Sequence, residues 1–119
     1  KEGLTEAEIK SLVAVGQKMW AGGLGGALFE YDAVSDLWKK IEPTDSLKNG
    51  GIHSITATKE KVFICRDNGV SIYDLSTKQW ESLTVSDGLL SNTVFCAAEN
   101  KNSIWFGTDK GVSRLIIAP

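Results

Sequence analysis

Most of what usually betrays a function is missing from this chain. Its 119 residues include one histidine, two cysteines, two prolines and one methionine. A single histidine with no nucleophile motif beside it gives no support to acid–base or nucleophilic catalysis. Cys65 and Cys96 are too few for a disulfide framework and too far apart for a metal-binding CxxC. No window approaches the roughly 18 uninterrupted apolar residues of a membrane span, and no signal-like pattern opens the chain. Thirteen Lys and Arg against fifteen Asp and Glu give a net charge of -2 without a basic run. A phosphate-reading surface is thereby excluded, and nucleic acid with it. No loop has the alternating acidic spacing of a calcium hand. The stretch Gly22-Gly23-Leu24-Gly25-Gly26 lacks the Lys-Ser/Thr and the helix that would make it a phosphate cradle, so a flexible hairpin is expected. No cofactor and no metal are expected. The remainder, 42% hydrophobic, 8% aromatic and 24% charged, is the profile of a folded domain.

What is present is repetition. A shift of 42 positions carries Asp45, Leu47, Ile52, Val62, Phe63, Ile64, Asp67, Gly69, Val70 and Ser71 onto Asp87, Leu89, Val94, Ile104, Trp105, Phe106, Asp109, Gly111, Val112 and Ser113. A shift of 43 carries Ile9, Ser11, Leu12, Ala14, Met19, Trp20 and Gly26 onto Ile52, Ser54, Ile55, Ala57, Val62, Phe63 and Gly69. Beyond Ala27 the shift returns to 42, and Tyr31, Asp32, Trp38 and Ile41 meet Tyr73, Asp74, Trp80 and Leu83. The units run from about residue 3 to 44, 45 to 86 and 87 to 119.

Each unit divides into short segments rich in Val, Ile, Phe, Trp and Tyr, bounded by turn residues, which predicts antiparallel strands. In the middle unit these span Gly51 to Thr58, Lys61 to Cys65, Val70 to Asp74 and Trp80 to Leu83. Asp67-Asn68-Gly69 and Asp109-Lys110-Gly111 place glycine where a tight hairpin needs positive φ. Thr5 to Glu8 reads as one short helical turn. Such a unit, with small residues on its first strand and tryptophan on its last, predicts an all-β fold of β-propeller blades. Eleven strands are expected, in blades of four, four and three, the last blade lacking its outer strand.

Gly88-Leu89-Leu90-Ser91-Asn92-Thr93-Val94, followed by Ser103-Ile104-Trp105-Phe106-Gly107-Thr108-Asp109-Lys110-Gly111-Val112, closely resembles the two-component-regulator propeller repeat. The first two units also resemble kelch repeats, through the spacing of Tyr31 to Trp38 and of Tyr73 to Trp80. The resemblance implies a periplasmic or extracellular sensory domain, such as those of bacterial hybrid two-component sensors. In such a compartment Cys65 and Cys96 are permitted a bridge, although as strand residues they read first as buried free thiols.

Trp20, Phe63 and Trp105 recur at one place in each unit and are expected to be buried between blades rather than to form a sugar-stacking platform. His53 reads as a strand residue. The acidic turn residues Asp32, Asp45, Asp67, Asp74, Asp87 and Asp109 are expected to bond local backbone amides. Any ligand is expected on the loops between blades and between second and third strands, with Arg66, Asp87, Asn92 and Asp109 as the binding residues. A small molecule, a glycan or a protein would suit, and recognition is favoured over the alternatives of a propeller hydrolase or lyase fragment and a purely structural assembly unit. A chain opening on Lys1 and supplying fewer than three full units is expected to belong to a longer propeller or to pair with further copies, since an open arc exposes apolar faces.

Overall fold

The computed structural model describes residues 8–47 and 49–116, so that the expected helical turn at Thr5 to Glu8 and the start of the first unit lie largely outside the described residues. Eleven strands follow in order: β1 Ser11–Val15, β2 Lys18–Gly22, β3 Leu28–Asp32, β4 Leu37–Ile41, β5 Ile52–Ala57, β6 Lys61–Arg66, β7 Gly69–Asp74, β8 Trp80–Leu83, β9 Val94–Asn100, β10 Ser103–Thr108 and β11 Gly111–Ile116. They form three antiparallel sheets of four, four and three strands, ordered as in the chain. Among the described residues there is no α-helix, only a 3₁₀ turn at Val85–Asp87.

Local chemistry accounts for the turns. Arg66 pairs with Gly69, and Thr108 with Gly111, so each hairpin closes over two residues. Gly69 adopts φ 133°, and a Cβ on it would lie 2.6 Å from the Leu83 carbonyl oxygen. Both the backbone angle and the crowding therefore demand glycine. After β7, Asp74 Oδ1 accepts the backbone N–H of Ser76 at 2.9 Å and of Thr77 at 3.1 Å. Its other oxygen takes the Lys61 ammonium at 3.2 Å. These bonds, led by the Thr77 amide, hold the Asp74 carboxyl well below the usual carboxylate range.

The first strands gather, β1 packing beside β5 and β5 beside β9. Side chains alternate across a strand, and both faces of β6 are used. Val62 and Ile64 join Trp20, Leu28, Ile52 and Ile55 in a core shared with the first sheet. Phe63 and Cys65 join Val94, Ile104 and Phe106 in a core shared with the third, where the Phe63 and Phe106 rings meet edge to face at 6.0 Å.

One aromatic expectation is overturned. Trp20 and Phe63 are 3% and 1% exposed, but Trp105 is 38% exposed. In the third sheet Ile104 and Phe106 take the core-facing side, and no sheet among the described residues covers the other side. Trp105 stands there with Arg114 stacked 5.2 Å from its ring centre. Cys96, also expected to be buried, is exposed, whereas Cys65 is buried and both thiols are free.

Two outcomes are expected. Phe106→Ala should cost about 3–5 kcal/mol by denaturant unfolding and Trp105→Ala less than half as much, because only the first ring is enclosed; equal losses would contradict the one-sided packing. Because the Asp74 pKa is lowered on folding, its contribution is complete above the unfolded value near 4 and is lost as pH falls through the folded value. Asp74→Asn should accordingly show a shallower loss of stability than the parent between about pH 4 and 2, measured by urea midpoint.

Candidate functional site

Because every unit starts and finishes its hairpins in the same register, the turn after β2, the turns at Asp67-Asn68 and Asp109-Lys110, and connections 42–51 and 84–93 lie at one end of the strands. Backbone bonds lace this end together: Ile52 N–H to the Gly23 carbonyl at 2.8 Å, Asp67 N–H to Gly51 at 2.9 Å, and Asp109 N–H to Thr93 at 3.2 Å.

Of the four residues expected to bind ligand, Arg66 is fully buried. Its Nε donates to Ser71 Oγ at 2.8 Å, and Ser71 donates onward to Asp45 Oδ2 at 2.8 Å. Its Nη1 donates to the carbonyls of Gly50 at 2.6 Å and Gly26 at 3.2 Å. Burial draws the guanidinium pKa down, and the charge of Asp45 opposes that. The side chain thus ties the first unit's glycine turn and connection 42–51 to the second sheet. Gly26 is demanded both by its positive φ of 88° and by close approach, since a Cβ would sit 2.6 Å from the Asn49 carbonyl oxygen. Arg66 Nη2 and Asp45 Oδ1 are buried without a hydrogen-bond partner.

The other three belong to the third unit and are exposed. Asp87 Oδ2 accepts the Thr84 N–H at 2.9 Å, closing a capping box on the 3₁₀ turn. Asn92 Oδ1 accepts the Val85 N–H at 2.7 Å, and Asp109 Oδ1 accepts the Ser91 hydroxyl at 2.5 Å. One face of each group is thereby spent on shaping the loop. Local amides hold Asp32, Asp74 and Asp87 as expected, but Asp45, Asp67 and Asp109 instead bond the side chains of Ser71, His53 and Ser91. The neighbouring segment, not the turn, supplies their partner.

A further arrangement escaped the sequence reading. In β5 the register slips between Ile52 and Ser54, leaving His53 as the extra residue of a bulge, and in β9 the slip between Val94 and Cys96 leaves Phe95. The bulged residues meet: the His53 and Phe95 rings lie edge to face at 5.1 Å, and His53 Nε2 is 2.6 Å from Asp67 Oδ1. A signal existed, for the repeat sets Lys10, His53 and Phe95 at one position and keeps no residue type there. Elsewhere, burial pushes the Cys65 thiol up to about 12, which leaves it protonated and unreactive. Among the described residues no cluster of His, Cys, Asp or Glu could hold a metal ion, and no helix is long and apolar enough to cross a membrane.

Ser71 and Ser113 occupy the same repeat position but differ in what depends on them. Ser71→Ala would strip buried Arg66 and Asp45 of partners, at a cost of roughly 2–5 kcal/mol. Ser113 only accepts the exposed Leu90 N–H at 2.9 Å, so Ser113→Ala should cost about 0.5–1.5 kcal/mol. Unfolding free energies of the two variants check this, and a larger loss at Ser113 would refute it.

No family model matches the chain, and no curated protein matches it. Solved structures do. The extracellular domain of a hybrid two-component system of B. thetaiotaomicron matches over 98% of this chain and 16% of its own, at 21% identity and a TM-score of 0.77. A second structure of that domain gives 23% identity and a TM-score of 0.79. PorZ of Porphyromonas gingivalis, a surface component of the type-IX secretion system, matches over 91% of this chain and 17% of its own, at 16% identity and a TM-score of 0.74. The computationally designed Ika4 protein is matched over 98% of this chain and 95% of its own, at 17% identity and a TM-score of 0.55. The chain thus spans about one sixth of the length of these natural neighbours and shares with them an all-β fold of antiparallel sheets.

Proposed function

We propose that the chain forms three blades of a β-propeller and serves as a non-catalytic recognition module in an extracytoplasmic sensor. Its ligand, a small molecule, a glycan or a protein segment, is held at the loop end by Asp87, Asn92 and Asp109, with His53 and Phe95 at the inner strands and Arg66 as the buried tie beneath. The observation that carries this reading is the division of labour at that end. A charged, fully buried anchor fixes the loops, while polar groups and a bulged His–Phe pair stand at their edge. Loops held on a rigid sheet are where recognition groups are placed in such folds. The likeness to extracellular domains of a two-component system supports the sensory setting.

Further blades, from a longer chain or from other copies, are the natural partners. Cys96, Trp105, Val112 and Ile116 share one side of the third sheet and are exposed. In the repeat Trp105 corresponds to Phe63, whose side of the second sheet is covered by the third. Light scattering should detect concentration-dependent association of this chain, and Trp105→Lys should abolish it; a monomer at all concentrations would count against self-pairing.

Ligand recognition is tested by screening glycans and small metabolites by NMR. Expected shifts centre on His53, Asn92 and Asp109, with His53→Ala weakening a hit about tenfold. A screen in which no compound shifts these residues would overturn the assignment.

A further inference from the structure

Along β4 the first and second sheets part to leave a groove in two sections. The rim section, of about 220 Å³, is lined by Trp20, Glu30, Lys39, Lys40, Tyr73 and Trp80. The loop-end section, of about 310 Å³, reaches the glycine turn and Asn49, and Lys40 and Ile41 border both.

The repeat breaks at this groove. A shift of 42 carries Glu30, Lys39 and Lys40 onto Ile72, Glu81 and Ser82, and Ile72 is a buried core residue. Among the described residues, a pocket between the second and third sheets, bordered by Leu83 and Leu115 as the counterparts of Ile41 and Tyr73, holds about 40 Å³. Packing by itself would repeat, because the chain already has an apolar solution at Ile72. The first unit instead introduces charge and opens the junction.

The charges are arranged. Glu30 Oε2 accepts the Trp20 indole N–H at 3.0 Å, and Oε1 lies 3.7 Å from the Lys18 ammonium, so the carboxylate is compensated and the indole is fixed. Lys39 shares the face of Trp20 and Glu30 and has no ion pair among the described residues, whereas Lys40 stands on the opposite face of β4. The aromatic wall is continuous, with ring centres 4.8 Å apart for Tyr73 and Trp80 and 5.5 Å for Trp20 and Tyr73. Aromatic rings and the Lys39 side chain therefore border one small space.

We propose that this groove binds a small molecule made of one ring bearing a carboxylate, the ring against Tyr73 and Trp80 and the carboxylate toward Lys39. The rim section is smaller than the roughly 300–1,000 Å³ that encloses a drug-sized ligand, which fits a single ring. An acidic monosaccharide and an aromatic acid share this chemistry. The site stands apart from His53 and Asn92 and does not depend on recognition at the loop end.

The test is a titration of the ¹⁵N-labelled chain with sodium glucuronate and sodium benzoate, each against its uncharged counterpart, glucose and benzyl alcohol, up to about 20 mM. At least one acid should shift the indole N–H signals of Trp20 and Trp80 with a millimolar Kd while the His53 ring signals stay in place. The matching neutral compound should bind about tenfold more weakly, and the Lys39→Gln variant should weaken the acid to the same extent while keeping the parent spectrum. A response to glucuronate alone identifies an acidic sugar, one to benzoate alone an aromatic acid, and one to both the shared chemistry. No shift with either acid, equal binding of the neutral compounds, or unchanged binding by Lys39→Gln would overturn the proposal.

Discussion

The structure depends on β6 having no wet face. A four-stranded sheet whose second strand reads Val-Phe-Ile-Cys must cover both sides, and the cover comes from the sheets before and after it. Stacking of like units is what converts a weak local signal into a fold, since one such sheet alone would leave about half its apolar side chains in water. The same requirement explains the third sheet. It is built to the same pattern, but among the described residues only one of its sides meets a neighbour, and Trp105 and Cys96 are exposed on the other.

Stacking brings the turns between second and third strands and the inter-sheet connections to the same end, where polar backbone would otherwise be buried at the junctions. Arg66 answers part of that need between the first two units by donating to two carbonyls and to Ser71. At the corresponding place between the second and third units stands Thr108, and a shorter set of bonds through Ser91 and Asp109 suffices. The units thus repeat in backbone and core while differing in how their loops are secured. These differences, at Arg66, His53 and Glu30, are the places where something beyond packing is expressed.

The eleven strands, their division into four, four and three, and the glycines at 69 and 111 were legible because each rests on local rules: alternation, β-branched and aromatic content, and φ sign. Asp87, Asn92 and Asp109 are exposed in the third unit, each bonded to its own loop. Arg66 was read as a ligand-facing group because a lone arginine replacing Thr108 looks like a departure with a purpose. Its purpose is internal, and nothing local reveals that Gly26 and Gly50 present their carbonyls to it across sequence separations of 40 and 16. The bulge at His53 was hidden because register irregularity appears only when two strands are paired.

By itself the sequence determined the repeat, the strands and turns within each unit, and which residue types stand at equivalent positions, because backbone conformation and side-chain alternation are decided over a few neighbouring residues. Tertiary structure alone decided which equivalent positions are enclosed and which are not, separating Phe63 from Trp105 and Cys65 from Cys96. It also decided which partners the charged groups find, since desolvation and hydrogen bonding depend on what the adjoining sheet brings within about 3 Å.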